Sequence, residues 1–401
     1  ACVALQAGTR VTLLEARDRV GKKLLATGNG RCNLLNTGAP IYFGDPAFAC
    51  SVLAACPVER VLAFFHRLGL TTVEEESGLV YPGTYQAASV LEVLRAFLDH
   101  SPGFRLVTNA EAVDVQPRPG GFVVHTRAGE QYAASRVLAA AGGPAQPRLS
   151  GTDSLFAPLK RLGHTLVQLR PALTGIETDP ADVRGLKGMR LPALCTLCGG
   201  DDRPVCASAG EVIFSDTGIS GICVMQISRD AGQLLQAGDR PTLYLDMSPL
   251  LGLEPRLMQR MPVKDPRRNH ARVLALLQQR VSDLPSGLAL TGLLPRLLQD
   301  RLRGLDLHKL AAMLCAMPLR VQAVRGWDQA QVAAGGIDTA DVEVPTMESK
   351  LVPGLHLAGE LLNVDGDCGG YNLLFAWATG ILAGTAMAAE QGSGPDTDSK
   401  L

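Results

Sequence analysis

The chain has 401 residues, of which 46% are hydrophobic and 19% charged, and its 38 basic and 39 acidic residues leave a formal net charge of −1. This balance excludes a sequence-wide field that would attract nucleic acid or a membrane surface. The length, the apolar content and the 43 glycines favour a turn-rich α/β enzyme of two or three domains. Ten cysteines scattered from Cys2 to Cys368 do not form a dense disulfide framework, so we expect a reducing, cytoplasmic compartment.

The N-terminal segment has the order of a half-motif. Residues 1–7 have the composition of a helix end, Gly8 is a natural helix stop, and Val11–Leu14 predicts a short buried strand that ends at the acid Glu15. In a dinucleotide-binding βαβ unit such an acid binds the ribose, and a GxGxxG turn precedes it by about 20 residues. Residue 1 lies only fourteen positions before Glu15, so the acid alone could equally end an ordinary strand.

The pattern then changes from helical to strand periodicity. Residues 26–40 form a polar, glycine-spaced loop, and residues 58–68 and 88–98 show helical spacing. From Phe104 to Leu138 the period is two, with turn residues between short segments. We therefore predict a small antiparallel meander that returns to a strand ending in Gly142-Gly143.

A second change of character begins near His164. Strand-like segments continue to about Met247, and a Leu/Arg-rich stretch from Leu250 to Cys315 predicts helix. We expect an inserted substrate-side domain, after which glycine-rich βα character resumes. The predicted boundaries are 1–165 and 329–390 for the two parts of a nucleotide-binding domain, 166–328 for the insert, and 391–401 for a disordered tail.

Two cysteine and serine motifs have alternative interpretations. Cys195 and Cys198 form a CxxC with Cys206 nearby, but no second CxxC at suitable spacing accompanies it, so we favour structural cysteines and predict no metal site. The segment "TGISG", residues 217–221, resembles a nucleophile elbow, yet Ile222 stands where that turn needs its last glycine.

A basic cluster occurs in the middle of the predicted insert. It lacks interleaved aromatic residues, so we interpret it as a solvated helical face and not as a nucleic-acid contact. Its members are Arg256, Arg260, Lys264, Arg267, Arg268 and Arg272.

The C-terminal segment "PGLHLAGELLNVDGDCGGYNLLFAWATGILAG" carries the strongest chemical signal. Residues 355–358 predict a strand that ends at Gly359-Glu360, and Gly369 to Asn372 open a long apolar helix. Glycines allow a ligand to approach the backbone, and a helix N-terminus stabilises negative charge. A flavin offers such charge at its pyrophosphate and at its N1/O2 edge; the alternative is a loop that only closes a strand–helix corner. The uncharged run 373–389 is too short for a typical membrane span, so we expect a buried helix.

Four motifs in order carry a family resemblance: "GKKLLATGNGRCN", "GEVIFSDTGISG", "PTMESKLVPGLHLAGE" and "VDGDCGGYNLLFAWATG". They resemble the NAD(P)/FAD-dependent oxidoreductases known as aminoacetone-oxidase-like or BaiN-like flavoproteins, over residues 1 to about 384. The resemblance implies a glutathione-reductase-like FAD-binding Rossmann domain whose first strand and glycine turn precede residue 1, interrupted by an inserted α+β domain. It implies that Glu15 binds the adenosine ribose, and that the cofactor lies along Gly28, Gly30, Arg31, Cys32, Asn33, Val113, Gly142, Gly143, Gly359, Glu360, Asp365, Gly366, Gly369, Gly370, Tyr371 and Asn372.

The implied activity is that of an FAD-dependent oxidoreductase with hydride transfer at flavin N5. No GxGxxG occurs in the chain, so NAD(P)H would dock transiently as the donor for a small organic substrate. Cys32 and Tyr371 are the candidate catalytic side chains. Alternatives are an oxygen-using oxidase of an amine or aminoketone, an NAD-dependent dehydrogenase, and a binding module without turnover. We also expect the sequence to be an N-terminally incomplete flavoenzyme that holds FAD weakly by itself.

Overall fold

The computed structural model describes residues 1–257, 259–285 and 288–389, and the predicted tail 391–401 lies outside this range. The chain divides into unit 1, which comprises residues 1–169 and those from Val332 onward, and unit 2, which comprises Arg170–Gln331. The strands and helices that lie in or begin in unit 1 are, in chain order, α1 (Cys2–Gln6), β1 (Val11–Leu14), α2 (Lys22–Ala26), β2 (Leu35–Asn36), β3 (Tyr42–Gly44), α3 (Pro46–Ala55), α4 (Val58–Arg67), β4 (Thr72–Glu74), β5 (Leu79–Pro82), α5 (Ala87–Asp99), β6 (Phe104–Val107), β7 (Ala112–Arg118), β8 (Gly121–Thr126), β9 (Gln131–Ala134), β10 (Val137–Ala139), α6 (Phe156–Arg161) and β11 (Leu166–Ala172).

Unit 2 follows β11, and the chain then returns to unit 1. The elements of unit 2 are β12 (Ile176–Thr178), α7 (Pro180–Val183), β13 (Arg190–Cys198), β14 (Pro204–Phe214), β15 (Gly218–Ser220), α8 (Ile222–Gln236), β16 (Thr242–Asp246), β17 (Gln259–Met261), α9 (His270–Asp283), α10 (Arg296–Arg301), α11 (Leu307–Cys315) and β18 (Met317–Val324). Unit 1 ends with β19 (Val332–Ile337), β20 (Leu355–Leu357), β21 (Val364–Gly366) and α12 (Tyr371–Ala389).

Two parallel strand pairs give unit 1 its nucleotide-binding character. Strand β1 pairs with β6 so that Leu14 lies opposite Val107, and β10 pairs with β20 so that Ala139 lies opposite Leu357. In open α/β sheets ligands bind outside the carboxyl ends of such strands. The predicted meander is confirmed as the antiparallel sheet β7-β8-β9, whereas its first predicted strand, β6, instead pairs with β1.

Helix α12 is the central helix of unit 1. Its sequence is apolar on every side, a pattern typical of a buried helix, and it packs against α1, α3, α4 and β2. Among the described residues it alone is a single helix long and apolar enough for a membrane span, with a mean hydropathy of 1.4, and half of that window is buried by the rest of the chain. The bent pair α3 and α4 passes the same criteria only together, and core helices of soluble proteins pass them too.

Unit 2 contains an antiparallel sheet in the order β13-β16-β18-β12-β15-β14-β17. Strand β14 also pairs with β13, so the sheet closes on itself. Helix α8 packs against β12, β13, β14, β15 and β18 of this sheet. Its buried residues Cys223, Val224, Ile227 and Ala231 recur at helical spacing, and they form part of one hydrophobic core with the strands.

Three predictions of secondary structure were wrong in part. The strands predicted up to Met247 are interrupted by α8, whose 3.6-residue period was overlooked. Among its described residues, the stretch 250–315 that was predicted as one helical segment contains three helices and a short strand, because prolines at 262, 266, 285 and 295 remove N–H donors from any continuous helix. The polar loop 26–40 contains the buried strand β2, and sequence reasoning assigned no strand to β18.

The basic cluster does not form a solvated helical face. Only Arg272 lies on α9, and most of the cluster is neutralised by acids of the same unit. The ion pairs are Arg260 with Asp230 at 3.5 Å, Arg267 with Asp202 at 2.8 Å, Arg268 with Asp246 at 3.6 Å and Arg272 with Glu254 at 3.0 Å. The sequence placed these arginines together, but their acids come from other elements.

Candidate cofactor site

The carboxyl end of β1 presents the acid that the sequence singled out. Glu15 continues the strand, since its N–H donates to the Val107 carbonyl at 2.9 Å. Its Oε1 accepts the Arg17 N–H at 2.8 Å, which fixes the side chain next to the strand end. Oε2 remains available to accept a hydrogen bond from a ribose hydroxyl. Val113, another predicted cofactor contact, lies within β7 at the register shift between Ala112 and Asp114.

The glycine loop after α2 has an unusual backbone. A 3₁₀ turn spans Thr27–Gly30, and Gly28, Asn29 and Cys32 have φ of 55°, 53° and 57°. Left-handed backbone of this kind turns successive N–H groups to one side, which suits an anion. Arg31 is exposed beside it. Cys32 is fully buried, and burial raises the pKa of its thiol to about 11, so the thiol is protonated at neutral pH.

Two side-chain amides tie the start of α12 to β2 and β21. The Nδ2 of Asn36 donates to the Gly369 carbonyl at 2.8 Å, and its Oδ1 accepts the Gly38 N–H at 2.7 Å. Asn372 bonds both the N–H and the carbonyl of Gly366, each at 2.8 Å. Asn36 is only 5% exposed. Sequence reasoning missed it, although the pair of asparagines in "NLLN" directly before a Thr-Gly turn was the available signal.

Two glycines at this end serve the packing of the protein itself. A Cβ added at Gly370 would lie 2.7 Å from the carbonyl carbon of Leu35, and one added at Gly366 would lie 2.7 Å from the Cβ of Tyr371. Glycine is therefore required there by neighbouring protein atoms, whatever ligand is present. The first helical bond of α12 is from the Leu374 N–H to the Gly370 carbonyl at 3.0 Å. The preceding N–H groups consequently point out of the helix, where they can bind an anion.

Two other glycines have room for a side chain, because the nearest protein atoms are at ordinary contact distance. At Gly142 the nearest atom to an added Cβ is an oxygen of Glu360 at 3.6 Å, and at Gly359 it is the Cβ of Ala376 at 3.7 Å. Both have left-handed φ, 77° and 72°. Since no described protein atom lies closer than 3.6 Å to either position, a ligand can approach the backbone there.

Both open glycines line a cavity of about 240 Å³ in unit 1. Its one charged side chain is Glu360, whose Oε2 bonds Lys23 Nζ at 2.6 Å and whose Oε1 accepts the Ala333 N–H at 2.9 Å. Lys23 and Glu360 side chains are 25% and 21% exposed. The lining residues are Leu138, Ala140, Gly142, Ala358, Gly359, Glu360, Ala376 and Gly380.

These features fit FAD. An acid at the end of a parallel strand suits a ribose, open glycines suit a pyrophosphate, and a free helix N-terminus suits the anionic edge of a flavin. The arrangement therefore defines a Rossmann-type nucleotide-binding protein of the flavoprotein class. Tyr371, the second candidate catalytic residue, is 7% exposed, and burial beside Asp367 raises its phenol pKa.

Comparison with known proteins agrees with this class. The family model described as HI0933-like protein Rossmann domain matches residues 1–386. The chain is 36% identical over 393 residues to the 3-dehydro-bile acid delta(4,6)-reductase of Clostridium scindens, with 94% of this chain and 93% of that protein covered. It is 26% identical to the ribosomal RNA dihydrouridine synthase of Haemophilus influenzae, with 93% and 91% covered. Among solved structures, E. coli quinol fumarate reductase FrdA matches with a TM-score of 0.44 and 13% identity, covering 99% of this chain and 69% of that one.

The chain belongs to the HI0933-like Rossmann family and is an FAD-dependent oxidoreductase. The assignment of individual cofactor contacts, from Glu15 to Asn372, stays a prediction. Within residues 1–257, 259–285 and 288–389 no group of three or more His, Cys, Asp or Glu is arranged to hold a metal ion. Cys195 and Cys198 are both buried in β13, and the thiol of Cys195 contacts that of Cys223 at 3.7 Å.

Proposed function

We propose that the protein is a reductase that adds two hydrogens across a carbon–carbon double bond of a small unsaturated organic acid, with NAD(P)H as a transient donor. The observation that supports this most is the 36% identity, over 94% of the chain, to a 3-dehydro-bile acid delta(4,6)-reductase. The names of both this relative and the dihydrouridine synthase denote the reduction of a carbon–carbon double bond. The reaction type therefore has support from two relatives, and the bile-acid class has support from the higher identity.

When bound, FAD supplies a group that accepts and donates hydride at its N5 atom. The chain's own residues would bind and orient this cofactor. Glu15 would accept from the ribose, and the N–H groups ahead of Leu374 would stabilise negative charge on the ring edge. Glu360, held by Lys23, would lie along the ribityl chain. Cys32 and Tyr371 are both protonated at neutral pH, because burial raises the pKa of each, so either can only donate a proton.

Reduction of ribosomal RNA is a second candidate, supported by 26% identity to two dihydrouridine synthases. Two observations disfavour ribosomal RNA as the substrate. The formal net charge is −1, and four members of the basic cluster are paired with acids of unit 2. Recognition of RNA depends strongly on uncompensated cations that neutralise phosphates.

The test is anaerobic reduction of the FAD-loaded protein by NADH and by NADPH, followed by addition of a 3-dehydro bile acid with unsaturated ring bonds. We expect nucleotide to bleach the flavin, the steroid to restore its colour, and a product heavier by two hydrogens. Unmodified ribosomal RNA replaces the steroid in a parallel reaction. If neither nucleotide bleaches the flavin, the reductase proposal is wrong; oxygen uptake with an amine or aminoketone would then favour the oxidase.

A further inference from the structure

The side chain of Arg325, directly after β18, packs over the backbone of Gly175. Its N–H donates to the Gly175 carbonyl at 2.9 Å. A Cβ added at Gly175 would lie 2.8 Å from Arg325 Cδ and 3.2 Å from Cζ. The guanidinium thus rests on the backbone of Gly175, and a side chain at 175 would force it to shift. Both residues belong to unit 2, and Arg325 is half-buried there.

Only neutral groups hold this guanidinium. Nη2 donates to Ser215 Oγ at 2.6 Å, and Nη1 donates to Gln329 Oε1 at 3.1 Å. Ser215 is itself fixed, since its hydroxyl donates to the Gly218 carbonyl at 3.0 Å. In the part of the chain that the structure describes, no carboxylate oxygen lies within 4.0 Å of the Arg325 guanidinium.

Arg320, five residues earlier and within β18, shows the contrast. Arg320 bonds Asp182 at 2.7 Å and Asp179 at 2.9 Å, so its charge is compensated within unit 2. Arg325 carries a positive charge with no such partner within the described ranges. Held by three different segments, it has N–H groups left over and has already lost the side-chain freedom that ligand binding would otherwise cost.

We propose that Arg325, oriented by Ser215, Gln329 and the backbone at Gly175, is an anion-binding subsite of unit 2 that takes an organic carboxylate. A planar guanidinium recognises a carboxylate through paired N–H donors. The identification of the anion as an organic carboxylate rests on the proposed function, whereas the anion site itself rests on the contacts of Arg325 alone.

The test compares binding of a 3-dehydro bile acid with binding of its neutral methyl ester, by calorimetry on the FAD-loaded protein. We expect R325Q to weaken binding of the acid roughly ten- to a hundredfold, the range for losing hydrogen bonds to a charged group, and to leave the ester unchanged. R325K keeps the charge but loses the paired geometry, so it should fall between. R320Q is the matched control, because it removes the same charge five residues earlier in the same unit and should change neither affinity.

A loss of affinity that is equal for acid and ester, or an R325Q protein that binds the acid as the wild type does, would overturn the proposal. A second measurement needs no substrate. Phenylglyoxal modifies arginines, and mass spectrometry follows the rate at Arg325 and at the exposed Arg184. Acetate should slow modification several-fold at Arg325 only. If the wild type binds neither steroid, the substrate class is wrong, and equal rates at both arginines would then also reject the anion site.

Discussion

Replacing Asn36 by aspartate changes one hydrogen bond at the end of α12 and little else. The substitution keeps the shape and keeps an oxygen for the Gly38 N–H, but it removes the donor to the Gly369 carbonyl at 2.8 Å. Because the site is 5% exposed, the carbonyl loses its partner and an ionised carboxylate faces it. We expect N36D to lower the free energy of unfolding by about 2–4 kcal/mol at pH 8, the sum of an unsatisfied buried acceptor and a poorly solvated charge.

The loss at position 36 should depend on pH. Burial disfavours the ionised form of the introduced carboxyl, so its pKa in the folded state rises above the unfolded value of about 3.9. The folded state then binds more protons than the unfolded state, and stability falls as pH rises between the two values. Near pH 4 the protonated carboxyl can donate to the Gly369 carbonyl, so the deficit of N36D against wild type should shrink by more than half.

Urea unfolding at pH 4 and pH 8 measures both quantities. Fluorescence of Trp377, which donates to the Leu34 carbonyl at 3.0 Å, reports on unit 1 in a W327F background, because the chain has only two tryptophans. N36A loses both bonds and has no titrating group, so its deficit should not vary with pH. A deficit for N36D below about 0.5 kcal/mol, the usual range for neutral surface changes, or one that is equal at both pH values, would refute the reasoning.

Three further predictions concern the same unit. Adding a methyl group at Gly370, where φ is 92° and backbone lies within 2.7 Å, should destabilise by more than about 2 kcal/mol. G380A, inside α12 with no atom within 4 Å, should be neutral or stabilising by up to about 1 kcal/mol, and urea titration distinguishes the two variants. K23M should destabilise by about 1–2 kcal/mol, because it leaves the partly buried carboxylate of Glu360 without its cation. Adding E360Q should restore stability, and a double-mutant cycle that gives no coupling would contradict this. With a pKa of about 11, Cys32 should be alkylated at pH 8 roughly a hundredfold more slowly than the exposed Cys50, by mass spectrometry of the native protein, and comparable rates would show that the thiol is accessible and ionised.

The glycines predicted to lie along the cofactor are of two kinds. Gly366 and Gly370 make room for protein atoms, so their loss is expected to damage the fold with or without cofactor. Gly359 and Gly142 face a cavity, so a methyl group there would be strained by the left-handed φ and would also enter the space of a ligand. The sequence does not distinguish these two kinds of glycine, because it shows that a side chain is absent but not which neighbouring atoms require its absence.

Local patterns determined the elements whose residues contact their sequence neighbours. The strand 11–14 with its acid, the helices near 58–68 and 88–98, and the meander were readable because periods of two and 3.6 residues are set by the geometry of a strand or helix alone. The order of four long motifs also identified the family. Helix α8 and strand β18 were missed, although α8 carries a regular period.

Only the tertiary structure decided which distant groups meet. Lys23 reaches Glu360 across 337 positions, and Asn36 reaches Gly369 across 333. Arg320 likewise became part of an ion pair, whereas Arg325 has no carboxylate within 4.0 Å among the described residues, according to which strands the closed sheet brought together. Hydrogen bonds and ion pairs act over a few ångströms of space, and no pattern along the chain specifies that distance until the backbone has folded.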